Sequence, residues 1–135
     1  MSLFTIFDIA GSAMSAQNIR LNTTASNLAN SETVSGSEQQ AYRSRQPVFA
    51  TMLDQANKAV AGVRVTGITT DNSPVQKEYA PQNPMADEQG YIYKSNVNPV
   101  EEMANMISAS RSYQSNVEVM NTSKELMLQT LRMGQ

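Results

Sequence analysis

Apolar residues return every seven positions through the first thirty: Phe7, Met14, Leu21 and Leu28, with Phe4, Ala10, Ala13, Ala25 and Ala29 beside them. That spacing draws a stripe down one side of a helix and predicts one over residues 3–29. The other faces are unusual for a helix that meets water. They carry Gly11, Ser12, Ser15, Asn18, Asn22, Thr23, Ser26 and Asn27, and between residues 2 and 30 only Asp8 and Arg20 are charged. Asn, Ser and Thr can bond their own backbone instead, and Gly11 adds chain entropy, so such a helix is marginal in isolation. Small neutral hydrogen-bonding side chains cost little to bury when a neighbour supplies partners, whereas charged ones cost more. The pattern therefore predicts a helix packed by protein on several sides.

A second helical pattern covers residues 98–133. Asn98 is a good N-cap, Pro99 suits the first helical position, and Glu101 stands three residues after the cap as in a capping box. Glu102 adds a favourable charge on the helix dipole. From there a 3,4 spacing runs through Met103, Met106, Tyr113, Val117, Met120, Met127 and Leu131, interrupted by Ser110 and Lys124. A helix of about 35 residues spans roughly 50 Å, too long to pack on a small β segment alone.

Between these helices the periodicity changes. SETVSGSEQQ reads as a polar loop, and residues 42–53 as a short extended or mixed segment in which Pro47 argues against helix. Residues 54–61 suggest a brief helical turn or a flexible connection. GVRVTGI, VQKEYA and YIYKS alternate as three short strands, separated by turns at 71–74, 81–84 and 87–90. Three short strands hide little surface, so this part is expected to lean on something else. The expected fold is mainly α with a small β-rich insert: residues 1–30 and 98–135 form a discontinuous domain of two long helices paired as an antiparallel coiled coil, and residues 31–97 form the insert.

Composition sharpens the picture. The 135 residues are 40% hydrophobic but only 6% aromatic, and nine Met and many Ala carry the apolar content. This favours helix interfaces over a thick globular interior. A net charge of −2, with no basic cluster beyond Arg43 and Arg45, argues against nucleic acid as a partner. No His or Cys is present, which removes the usual bases, nucleophile partners and soft metal ligands. No enzymatic activity, cofactor, metal or small-molecule substrate is therefore expected. Asp87 with Glu88 and Glu101 with Glu102 read as solvated turn and helix-end charges, and Asp71, Asn72 and Ser73 as a turn rather than a calcium loop. No Lys or Arg precedes Arg20 and Asp8 breaks the apolar start, so a cleaved secretory signal is not expected. No stretch approaches the roughly 20 apolar residues of a membrane span. One chain has only one other long helix to offer, so the remaining faces point to neighbouring subunits and periodic assembly. A soluble or secreted coiled-coil adaptor is the alternative, and it would keep its helix pair folded as a free monomer.

DIAGSAMSAQNIRLNTTASNLAN, followed after the link by Tyr42 and Arg43, and NVNPVEEMANMISASRSYQSNVEVMNTSKELMLQTLRMGQ closely resemble the bacterial flagellar axial proteins. Among these the match is to the proximal rod subunits of the basal body. The NLAN element, Asn27, Leu28, Ala29 and Asn30, is shared by many axial proteins, while Glu101 to Glu125 is more specific to the rod subunit. Here Thr33 is followed by Val34, Ser35 and Gly36, a longer polar link than is usual in the family.

The resemblance implies a structural subunit of the drive shaft that crosses the periplasm and transmits torque, exported uncleaved by the flagellar type III apparatus. It implies as partners other copies of the chain, other rod proteins, the rotor ring at the rod base and the export apparatus. It also implies terminal helices that build the inner tube around the export channel, and stiffness against torsion is then expected from knobs-into-holes contacts by Met103, Met106, Tyr113, Val117, Met120, Met127 and Leu131 together with Phe4, Phe7, Met14, Leu21 and Leu28. Arms unable to offset about 1–2 kcal/mol of backbone entropy per residue would stay disordered until they dock.

Overall fold

A computed structural model describes residues 3–53 and 60–134 of the chain. The elements run α1 (Leu3–Ala29), β1 (Val34–Ser35), β2 (Arg45–Leu53), β3 (Val60–Thr70), β4 (Gln76–Tyr79), β5 (Tyr91–Lys94) and α2 (Pro99–Met133). Both helices occupy the ranges that the seven-residue pattern predicts. Asn98 caps α2 by accepting bonds from the backbone N–H of Val100 at 3.1 Å and Glu101 at 3.4 Å. The return bond of a capping box, from the Glu101 side chain, is not formed among the described residues.

The fold class is not the one the periodicity suggested. Two helices and five strands in two antiparallel sheets make an α+β chain, not a mainly-α coiled coil with a small insert. β2 and β3 form a two-stranded antiparallel ribbon of nine and eleven residues, from Arg45 opposite Thr70 to Leu53 opposite Val60. β1, β5 and β4 form a second sheet in that spatial order. β2 falls within the segment read as extended or mixed, and Pro47, which argued against helix there, pairs opposite Ile68. A two-stranded ribbon has an open edge, where a missing N–H is tolerated. β1 lies inside the stretch read as a loop, and two residues carry too short a pattern to detect. Of the segment read as a helical turn or a flexible connection, residues 54–59 lie outside the described residues, and Val60 and Ala61 belong to β3.

The helices touch without forming the expected coiled coil. Arg20 Nη2 on α1 donates to Asn105 Oδ1 on α2 at 3.0 Å, and Ile6, Ile9 and Ala10 share a cleft with Asn116 and Val119. The buried row of α2 is Glu102, Ala109 and Ser123, with Asn116 half-buried between them. That row lies one residue from the predicted row of Met103, Ser110, Val117 and Lys124, a rotation of about 100° about the helix axis. Size explains the offset. Ala109, fully buried at 0% exposure, and Ala10 and Ala16 on α1 let the backbones approach closely, whereas a methionine seam would hold them apart.

The ribbon lies on α1 through another close approach. Val63 N donates to Ser12 Oγ at 3.1 Å, and Ser12 Oγ donates to Ile9 O at 2.8 Å. A Cβ on Gly62 would stand 2.4 Å from Ser12 Oγ, so only glycine fits. In the second sheet Ile92 is buried, Tyr79 packs edge-on against Tyr91 at 5.2 Å, and Lys77 Nζ sits 4.0 Å from the Tyr91 ring centre. The turn into β5 is organised by Asp87, whose Oδ1 accepts from the N–H groups of Gln89 and Tyr91. Those donors, the Tyr91 amide first, hold its carboxyl below its ordinary value of 3.8. The Glu78 carboxylate in turn raises Lys94 above its ordinary 10.5.

Candidate assembly site at the junction of helices and ribbon

The last turn of α1, the entry to β2 and the first turn of α2 meet around Asn27, which is 1% exposed. Its side-chain amide uses its whole hydrogen-bonding capacity. Oδ1 accepts from Tyr42 Oη at 3.0 Å and from Arg45 N at 3.0 Å. Nδ2 donates to Arg45 O at 2.8 Å and to Ser44 Oγ at 3.3 Å. By pairing with both N–H and C=O of Arg45, Asn27 acts as the strand partner that the first residue of β2 would otherwise lack on that side.

Around this centre the network spreads. Ser44 Oγ donates to Glu102 Oε1 at 3.4 Å, and Ser44 N donates to Asn96 Oδ1 at 2.7 Å. Asn96 Nδ2 also donates to the carbonyls of Asp71 and Ser73, where Asp71 Oδ1 closes the turn by accepting from Ser73 N. Ser26 Oγ bonds Tyr42 Oη at 3.3 Å, and the Arg45 guanidinium lies 5.5 Å from the centre of the Tyr42 ring. Backbone and side chains of three elements, α1, β2 and α2, and of the loops between them are thus fixed by polar contacts where a larger protein would place apolar packing.

The structure sorts the residues expected to matter. Asn27 and Tyr42 are brought together. Asn30 closes α1 by donating from Nδ2 to Ser26 O at 2.8 Å, Leu28 is half-buried and Ala29 exposed. Arg43 points elsewhere, donating to Ser73 O at 2.9 Å and pairing with Glu38 at 3.5 Å. The apolar rows are not joined into one seam. Phe4 at 71%, Met103 and Leu131 are exposed, while Phe7, Met14, Leu21, Met106, Tyr113, Val117, Met120 and Met127 are half-buried. Glu102 corrects the reading of the Glu101–Glu102 pair as solvated charge, because its side chain is buried. Ser44, Asn96 and Glu102 went unnoticed as members of a site. The polar, uncharged character of α1 was their only signal, and it names no partner.

Beside this network, Arg20, Arg45, Pro47, Phe49, Glu101 and Glu102 line a cleft of about 390 Å³. Among the described residues no helix is long and apolar enough to cross a membrane.

Comparison with known proteins agrees along the whole chain. The flagella basal body rod protein family matches residues 7–36, and the flagellar basal body rod FlgEFG protein C-terminal family matches residues 88–133. The chain is 53% identical over 135 residues to the flagellar basal-body rod protein FlgC of Yersinia enterocolitica, with all of both chains covered. It is 51% identical to that of Salmonella typhimurium and 50% identical to that of Escherichia coli O157:H7, again over the full length of both chains.

Proposed function

Because the chain belongs to the flagellar basal-body rod proteins of the FlgC type, we infer that it is a structural subunit of the proximal rod and works by assembling, not by catalysis. The full-length identity to rod proteins carries this reading. The unfinished packing of the isolated chain supports its mechanism: both apolar rows remain at least partly uncovered, and the buried positions are mostly small or polar.

In this reading residues 1–30 and 98–135 form the assembling part, and residues 31–97 form a collar held to it by the Asn27 network. Phe4, Phe7, Met14, Leu21 and Leu28 of α1, with Met103, Met106, Tyr113, Val117, Met120, Met127 and Leu131 of α2, are buried by neighbouring subunits. The neighbours are other copies, other rod proteins and the components at the rod base. Contacts on several faces of each helix resist twist, so torque passes from subunit to subunit. Methionine adapts to neighbours of slightly different shape. Subunits leave through the flagellar export apparatus with unpaired arms, and docking at the growing end orders them, so folding and polymerisation become one event.

Deleting Met127 to Leu131 tests this role. Cells carrying the deletion should make no rod and lose swimming. Normal rods would show that the tip of α2 is not part of the assembly surface.

A further inference from the structure

Among the described residues, Gln17 carries the one buried side-chain oxygen or nitrogen that no hydrogen-bonding group reaches: its Oε1 is closed to solvent and accepts no bond. The residue as a whole is half-buried on α1. An amide carbonyl withdrawn from water without a donor weighs against the closed structure, and the penalty vanishes once the site opens and water reaches it. Turned over, the amide would bury its NH2 group there, which needs a partner just as much.

The place of this group makes the penalty count. The two helices run in opposite directions, because Arg20 meets Asn105 while Ile9 shares a cleft with Val119. One turn back along α1 from Arg20 stands Gln17, and one turn on along α2 from Asn105 stands the fully buried Ala109, so the two come level in the helix contact. Little else holds this seam. Among the described residues the buried apolar side chains of both helices are alanines, Ala10, Ala16 and Ala109, and the side-chain hydrogen bond between the helices is that of Arg20 with Asn105. Alanine removes far less apolar area from water than Leu, Met or Phe would. Against so small a gain, one unsatisfied buried carbonyl is enough to move the ratio of closed to open helix pair by about tenfold.

We propose that Gln17 is a built-in release point: its unpartnered carbonyl keeps the contact between α1 and α2 only weakly closed in the free subunit, so that the helices part readily when the chain has to travel unpaired. The proposal rests on the reading of the chain as an exported, self-assembling rod subunit. It adds that the weakness of the helix pair is written at one residue of the seam, and that an apolar side chain of the same length there would shut the pair too firmly.

Gln17→Met tests this, because it keeps the length and flexibility of the side chain and removes the carbonyl. In the purified full chain, amide exchange in α1 and α2 around residues 17 and 109 should slow by about fivefold or more. Gln17→Glu puts a carboxylate at the same place and should speed the same exchange. In the chain's own bacterium, Gln17→Met should reduce the chain recovered in isolated basal bodies and impair swimming, while the whole-cell level of the chain does not fall. Exchange that is unchanged or faster in Gln17→Met would show that the carbonyl does not weaken the closed form, and would overturn the proposal. Slower exchange with normal basal bodies would overturn it as well, since the seam would then be tighter without consequence. Both of these results leave the rod reading intact. That reading falls, and the proposal with it, if the unaltered chain is absent from purified basal bodies.

Discussion

Asn27 is the side chain on which most depends. Replacing it with Ala leaves Tyr42 Oη, Ser44 Oγ and both backbone groups of Arg45 without their partner. Leaving buried groups unsatisfied costs about 1–3 kcal/mol each at most and is partly relieved by water, so Asn27→Ala should lose about 2–4 kcal/mol of stability. Urea unfolding should show a lower midpoint with an unchanged slope. Gly62→Ala should cost about 1–3 kcal/mol, since its Cβ would stand 2.4 Å from Ser12 Oγ. The positive φ of Gly62 strains any side chain there whatever stands opposite, so the loss should persist when Ser12 is also replaced, as calorimetry of the double variant would show. Asp87 and Lys94 give opposite pH signatures. Asp87 has a lowered folded value, so its contribution is present above pH 3.8 and disappears as pH falls through that lower value. Lys94 has a raised one, so its contribution is present below 10.5 and disappears as pH rises through the higher value. A carboxyl-carbon NMR titration of Asp87 should show a midpoint below 3.8.

Among the elements, the helices were legible in the sequence and the strands only partly. Caps and periodicity are local, and they marked α1 and α2 at nearly their observed ends. Asn98→Ala should accordingly cost about 0.5–2 kcal/mol and fray the first turn of α2, visible as faster amide exchange near Val100 and Glu101. The face that α2 buries lies one residue from the apolar row that its sequence displays. Hydropathy weighs Met103 and Val117 above Glu102, Ala109 and Ser123, but close packing selects for size, and only the folded backbone reveals where two helices come nearest. β2 lies in a segment legible only as extended or mixed, because a Pro such as Pro47 is compatible with a strand only where the strand has an open edge. The contact of Asn27 with Ser44, and of Ser44 with Glu102 across 58 positions, has no local trace at all.

For the whole molecule, the first and last elements are the ones that meet. Arg20 and Asn105 are 85 positions apart, and α1 packs on α2 only once everything between them has been drawn in. Closing a loop of that length costs about 4 kcal/mol of chain entropy before any contact repays it. Such a topology has a high contact order for a chain so rich in helix, and refolding from denaturant should be slower than for helical bundles of similar length, a comparison that stopped-flow measurements can make. A chain that travels lengthwise through a narrow passage, whichever end leads, holds one half of its helix contact inside while the other half is already out. If the chain is exported in this way, as proposed above, its topology would act as a clock, withholding the contact between α1 and α2 until both helices have emerged.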